Sequence, residues 1–227
     1  MLTEPCLVVF DVDGTLVDTQ LSIIEGFVAG FEAAGLVPPT AAAIRRGVGL
    51  SMEVAVAQLL PEADAGLVER VAHLSREAVW TLRQRPEYAE PLYPGALVAV
   101  EQLSSRGVVL AIATGKGRRG LRLFLESHGL AGHFTATQTA DDAASKPAPD
   151  MLFNILAETG IDRRRAVMVG DTTFDMAMAR AARMAALGVS WGYHAPEELM
   201  TVGAARVLDS FAELVPHVAD LFALEDR

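Results

Sequence analysis

The sequence predicts an α/β fold: a doubly wound parallel sheet with an inserted α-helical domain. Three observations carry that expectation. Short uninterrupted apolar runs recur at Leu7–Phe10, 108–113 and 166–169, with weaker ones at 134–137 and 185–189. Runs of this length read as strands buried on both faces, as in a parallel sheet covered by helices. Between them the apolar spacing turns helical, as at 121–128 before Gly129 and at 174–184, where Gly188 is the expected stop. The third observation is a gap, because residues 16–90 contain no convincing strand.

Each element has its own reason. Leu7–Phe10 is rich in β-formers and ends at the polar segment Asp11-Val12-Asp13-Gly14-Thr15, which reads as a strand running into a functional loop. Residues 19–34 place Ile23, Phe27, Val28 and Phe31 on one helical face and stop at Gly35. Residues 51–60 and 67–82 read as further amphipathic helices, so the insert is expected to be a bundle of four helical pieces. Pro86, Pro91 and Pro94 interrupt any helix and mark a stiff return to the core. The expected division is a core of residues 1–15 and 91–227 around a helical insert of residues 16–90.

Composition narrows the function classes. The 227 residues are 51% hydrophobic and 21% charged, which suits a chain that buries a core. Cys6 is the only cysteine, so no intrachain disulfide can form. Nineteen Lys and Arg against 29 Asp and Glu give a net charge of −10, a field that repels polyanions, so no nucleic-acid partner is expected. No apolar run reaches the roughly 18 to 20 residues of a membrane span, and no secretory signal is evident at the start of the chain. A cytoplasmic protein with no membrane partner, monomeric or homodimeric, is the expectation.

The chemistry gathers at the expected strand ends. Asp11 and Asp13 follow the first strand at the carboxyl edge of the sheet, where open α/β folds bind ligands. Two carboxylates 4 Å apart repel by about 4 kcal/mol at an effective dielectric near 20, so a cation or proton must intervene if they are close. A plain acidic turn capped by Gly14 is the alternative. Asp171 and Asp175 follow the run at 166–169 and reach the same edge. Oxygen-rich clusters of this kind suit Mg²⁺, although a helix cap or a solvated charge would also place an Asp there. Thr114-Gly115-Lys116 offers a hydroxyl and backbone N–H groups for an anion, and Lys146-Pro147 offers a point charge.

In that order, Asp11-Val12-Asp13-Gly14-Thr15, Thr114, Lys146 and Gly170-Asp171 with Asp175 resemble the four motifs of the haloacid dehalogenase superfamily. The resemblance spans nearly the whole chain and implies a Rossmann-like core with a small helical cap. Trp191-Gly192-Tyr193 before Glu197-Glu198-Leu199 is similar to phosphoglycolate phosphatase-like members. The implied activity is a Mg²⁺-dependent phosphatase for a small phosphorylated metabolite, with 2-phosphoglycolate the leading substrate. By the resemblance, Asp11 attacks phosphorus, while Asp13 protonates the departing oxygen and then activates water. Thr114 holds phosphoryl oxygens and Lys146 offsets the charge around Asp11. The implied metal set is Asp11, the Asp13 backbone carbonyl and Asp171, with Asp175 orienting the metal site. Gly14, Thr15 and Gly115 complete the substrate site, and Arg45 or Arg46 is expected to contact a second anionic group such as a carboxylate. Asp13 argues against dehalogenation, since a halide needs no proton. The alternatives are a β-phosphoglucomutase-like sugar-phosphate mutase, a phosphatase for another phosphorylated acid, sugar or nucleotide, and a phosphate-binding regulatory protein.

Two further patterns are expected to be accidental. Gly115-Lys-Gly117-Arg-Arg-Gly120 matches a dinucleotide-binding pattern with Asp141 about 20 residues on, but its strand is not the first of the sheet. Gly188-Val-Ser190-Trp-Gly192, with Asp209 and His217, matches a serine-hydrolase elbow without an immediate helix. The five histidines lie too far apart for a zinc-binding helix.

Overall fold

The computed structural model describes residues 4–223. Its sheet has six strands: β1 (Leu7–Phe10), β2 (Val109–Ala113), β3 (Ala136–Gln138), β4 (Ala166–Gly170), β5 (Ala185–Val189) and β6 (Arg206–Leu208). They lie in the order β3-β2-β1-β4-β5-β6, and every pair is parallel. This is the α/β doubly wound arrangement, with the order reversing at β1, so a crevice opens at the carboxyl ends of β1, β2 and β4.

Strand alternation builds two cores. Val8, Phe10, Leu110, Ile112, Val167 and Val169 face one cluster, which is closed by the helices α5 (Ala96–Ser105), α6 (Arg118–Ser127) and α10 (Leu214–Phe222). Leu7, Val9, Ala111, Ala113, Ala166 and Met168 face the other, covered by α7 (Asp150–Thr159), α8 (Thr173–Ala182) and α9 (Pro196–Val202). The period of two along each strand makes both faces apolar, which is why these strands read as continuous runs.

Four helices fill the strand-free stretch: α1 (Gln20–Ala33), α2 (Ala41–Arg46), α3 (Met52–Leu59) and α4 (Ala65–Leu82). They share their own apolar cluster, which includes Phe27, Phe31, Ile44, Val56, Val71 and Ala72. The pair α1 and α4 crosses at close range: a Cβ at Gly30 would stand 2.5 Å from the Ser75 Cα. Two strands of chain join this helical unit to the sheet. Val17 bridges Leu92, Asp18 N donates to Pro91 O (2.9 Å) and Tyr93 N donates to Leu16 O (3.0 Å). The proline-rich return is therefore a hydrogen-bonded pair preceded by a short 3₁₀ turn at Pro86–Tyr88.

The structure corrects three local expectations. The helix after β4 ends at Arg183 in the left-handed conformation (φ 56°), and Gly188 lies inside β5. An additional edge strand, β6, was hidden by its length of three residues and its exposed Arg206. Arg45 and Arg46, two cations beside the glycine-containing segment 47–49, form the last turn of α2 instead of belonging to a loop. Among the described residues no helix is long and apolar enough to cross a membrane.

Replacing Gly30 by Ala forces α1 away from the α4 backbone. A loss of about 1–3 kcal/mol in unfolding free energy is expected by urea denaturation; an unchanged midpoint would show that the crossing tolerates a methyl group.

Candidate active site

The parallel register brings the acids together. Phe10 pairs with Val169, and Asp11 N donates to Val169 O (2.9 Å), so the loops after β1 and β4 leave the sheet side by side. Gly14 adopts φ +86°, and a Cβ there would lie 2.3 Å from Asp171 Oδ2 and 2.5 Å from the Tyr193 ring. Only glycine allows that turn to fold over Asp171. The Thr15 hydroxyl donates to Asp171 Oδ1 (2.8 Å), and Tyr193 N donates to Asp171 Oδ2 (2.9 Å). Trp191 Nε1 in turn donates to Thr15 O (3.1 Å), which fixes the loop from the other side. Thr15, expected at the substrate, thus directs its hydroxyl to an acid of the cluster.

Asp175 sits in the first turn of α8 inside a capping box, accepting from Thr172 N (3.0 Å) and from Thr172 Oγ1 (2.7 Å). Lys146, from the loop between β3 and α7, places Nζ 2.7 Å from Asp11 Oδ1 and 2.7 Å from Asp175 Oδ1. Asp11, Asp171 and Asp175 are all buried, each with a carboxylate oxygen within 4.8 Å of the others. One ammonium therefore bonds two of the three clustered carboxylates. Burial first, and then the neighbouring Asp175, pushes the Asp11 carboxyl up to about 7 although Lys146 opposes them. Burial, Asp11 and Asp175 also raise Asp171 well above the usual carboxylate range. Burial would lower the Lys146 ammonium, but Asp11 and Asp175 outweigh it and hold the proton on.

Asp11 Oδ2 is buried and has no hydrogen-bond donor among the described residues. An orphaned carboxylate oxygen beside two other acids fits a hard divalent cation, which takes oxygen ligands and would supply the missing positive charge.

Asp13 faces away from this cluster. Its Oδ1 lies 2.8 Å from Lys116 Nζ and 3.7 Å from Arg83 Nη2. Burial would raise the Asp13 carboxyl, but Lys116 and Arg83 overcome that and hold it below its ordinary range. Thr114 is fully buried just beyond β2, and its hydroxyl accepts from Lys116 N (3.1 Å). Asp13, Gly115 and Lys116 border a cavity of about 170 Å³ between the core and helices α1, α3 and α4. The helical unit is seated tightly there: a Cβ at Gly115 would lie 2.5 Å from the carbonyl oxygens of both Gly49 and Leu50. Ser51 N donates to Ser145 Oγ (2.9 Å) alongside.

The expected cap cations are not brought to this cavity. Arg45 bonds Gln20, and Arg46 makes a bidentate pair with Glu198 (2.8 Å to each oxygen). The cause is local: α2 runs through Arg46, so both side chains leave a helix end while the following loop lines the cavity. The cations on the cavity wall are Arg76, Arg83, Lys116 and Arg119. Of these, Lys116 and Arg119 have a signal in the sequence, as cations of the glycine-spaced segment after Thr114 that suits a rim around a phosphate site. Arg83 and its partner Glu90 reach the site only through the tertiary fold. The dinucleotide pattern has a structural use, since Asp141 Oδ2 accepts from Arg118 N (2.7 Å) at the start of α6 and occupies the place an anion would take. After Ser190 the next helix begins only at Pro196, so no elbow forms.

The model of the haloacid dehalogenase-like hydrolases matches residues 8–189. The protein named Probable phosphatase IndB of Dickeya dadantii is 36% identical over 92% of this chain and 91% of its own. The phosphoglycolate phosphatase of Agrobacterium fabrum is 33% identical with the same coverage. A crystal structure of a hydrolase from Pseudomonas syringae superposes with a TM-score of 0.84 at 25% identity, covering 95% of this chain and 98% of that one. The chain belongs to the haloacid dehalogenase-like hydrolase family, and it is a phosphatase of that family.

The raised Asp11 carboxyl has a thermodynamic consequence. Unfolded, Asp11 gives up its proton near 3.8; folded, it keeps it to about 7, so the metal-free fold loses stability as pH rises across that window. Asp11→Asn removes the loss and no donated hydrogen bond to Oδ2. In EDTA the variant is expected to melt several degrees above wild type at about pH 8, the gap closing toward about pH 4. Equal melting temperatures at the higher pH would contradict the uncompensated charge.

Proposed function

We propose that the chain is a Mg²⁺-dependent phosphomonoesterase for a small phosphorylated metabolite, working through an aspartyl-phosphate on Asp11. The observation that carries this reading is the buried group of Asp11, Asp171 and Asp175 around a single Lys146. Asp11 and Asp171 would hold Mg²⁺, which when bound supplies charge stabilisation for phosphoryl transfer. Asp175 acts mainly through Lys146 and the Thr172 cap. The Asp13 carbonyl is proposed as a further oxygen ligand.

An Asp11 oxygen attacks phosphorus as the bond to the leaving oxygen breaks. Lys146 favours the ionised nucleophile, Thr114 and the backbone at Gly115 receive phosphoryl oxygens, and Asp13 gives the departing alkoxide its proton. In the free site Lys116 and Arg83 hold Asp13 ionised. A phosphate dianion competes for these cations and raises the Asp13 carboxyl toward the protonated form the leaving oxygen needs. Asp13 then takes a proton from water, whose oxygen attacks the phosphorus and restores Asp11. The helical unit serves as the cap over this chemistry, with its 47–50 loop pressed on Gly115 to exclude bulk water. The name borne by several relatives makes 2-phosphoglycolate the first substrate to assay. The mutase reading shares the same acids and differs in returning the phosphoryl group to a sugar.

Free phosphate is the product expected from a panel of phosphorylated metabolites with Mg²⁺, and EDTA is expected to stop its release. Asp11→Asn is expected to lower turnover by at least about 10³-fold, and wild type quenched in acid is expected to carry phosphate on Asp11 by mass spectrometry. Full activity of Asp11→Asn would overturn the covalent step; phosphoryl return without free phosphate would establish the mutase.

A further inference from the structure

The cavity beside Asp13 identifies the kind of alcohol the substrate carries. This inference rests on the phosphatase reading, in which phosphorus sits at Asp11 and the leaving oxygen at Asp13. Asp13 borders the cavity, whereas Asp11, Lys146 and Asp171 are not on its wall. The organic part of the ester therefore extends from Asp13 into it.

Its size and surface do not match a two-carbon acid. A void on the order of 150 Å³ accepts a benzene-sized ring, and this one measures about 170 Å³. Its wall carries Ile23 and Phe27 from α1, Met52 from α3, and Val79 and Trp80 from α4.

The charges on the wall are already engaged. Arg76 pairs with Glu53, Arg83 with Glu90 (2.6 Å) and Lys116 with Asp13 (2.8 Å). Arg119 lies over the Trp80 ring, its guanidinium carbon 3.3 Å from the centroid. Glu77 and Asp141 add further negative charge to the lining. A carboxylate on the substrate would have to take a cation from Asp13, Glu53 or Glu90, or draw Arg119 off the Trp80 ring. An uncharged flat group displaces water from the apolar wall and disturbs no ion pair.

We propose that the preferred substrates are phosphomonoesters whose alcohol bears an uncharged ring seated against Phe27, Met52 and Trp80, ahead of 2-phosphoglycolate. Trp80 and Met52 are then specificity-determining residues.

The test compares phosphate release from benzyl phosphate, 2-phosphoglycolate and acetyl phosphate with Mg²⁺. Benzyl phosphate is expected to exceed 2-phosphoglycolate in kcat/KM by about tenfold or more, a difference that burial of one ring can supply. Trp80→Ala, which removes the wall, and Met52→Trp, which fills the cavity, are each expected to lower the benzyl-to-acetyl ratio of kcat/KM about tenfold. Faster turnover of 2-phosphoglycolate than of benzyl phosphate, or an unchanged ratio in both variants, would overturn the ring preference while leaving the phosphatase reading intact. Absence of phosphate release from benzyl phosphate, 2-phosphoglycolate and the acyl phosphate alike would overturn the phosphatase reading, and this inference with it.

Discussion

Three buried carboxylates facing one buried ammonium set the terms for everything around them. Asp11 and Asp175 share the Lys146 ammonium, Asp171 stands within 4.8 Å of both, and the residual negative charge lies where water cannot screen it. The surrounding residues make that arrangement tolerable. Asp171 is held by Thr15 and Tyr193, Asp175 by Thr172, and Asp11 by Lys146 on one oxygen only. The donors on Asp171 and Asp175 act as supports for an ion site, and the free oxygen of Asp11 points to where chemistry enters. A site built this way spends folding stability on readiness for a cation and a phosphate.

The sheet provides the convergence and the helical unit provides the enclosure. Parallel pairing of β1 with β4 and β2 delivers Asp11, Asp171 and Thr114 to one edge without help from distant residues. The second carboxylate of the Asp11–Asp13 pair turns to the opposite side, toward Lys116, Arg83 and the cavity. One loop thus separates a phosphoryl side from an alcohol side. The helical unit lines the alcohol side through α1, α3 and α4, with Trp80 stacked on Arg119, so its sequence bears on substrate choice.

What was legible in the sequence follows from which forces are local. Leu7–Phe10 and the Asp11 loop could be read directly, because a strand buried on both faces is apolar throughout and the acids follow it at once. Asp171, Asp175 and Thr114 were legible for the same reason, as polar residues placed after apolar runs, whereas Lys146 follows a polar loop and was legible only from the order of the motifs. The edge strand β6 was not, since three residues with an exposed arginine carry no periodicity. The end of α8 at Arg183 was missed because a left-handed arginine has no glycine to announce it. Arg45 and Arg46 show the limit for specificity: two cations beside a glycine-rich loop suggested anion binding, yet a short helix turns them to Gln20 and Glu198. Arg83, Glu90 and Trp80 meet the site only after α4 packs against α1 and folds over the core.

The account stands on the acids converging around a single divalent ion. A crystal of the protein soaked in Mn²⁺ and measured at the manganese absorption edge is the most direct test. One anomalous peak is predicted within bonding distance of Asp11 and Asp171 oxygens, with Asp175 beside it and Lys146 still on Asp11. A well-ordered site with no such peak, or a peak bound elsewhere with the three acids bonded only to protein, would contradict it.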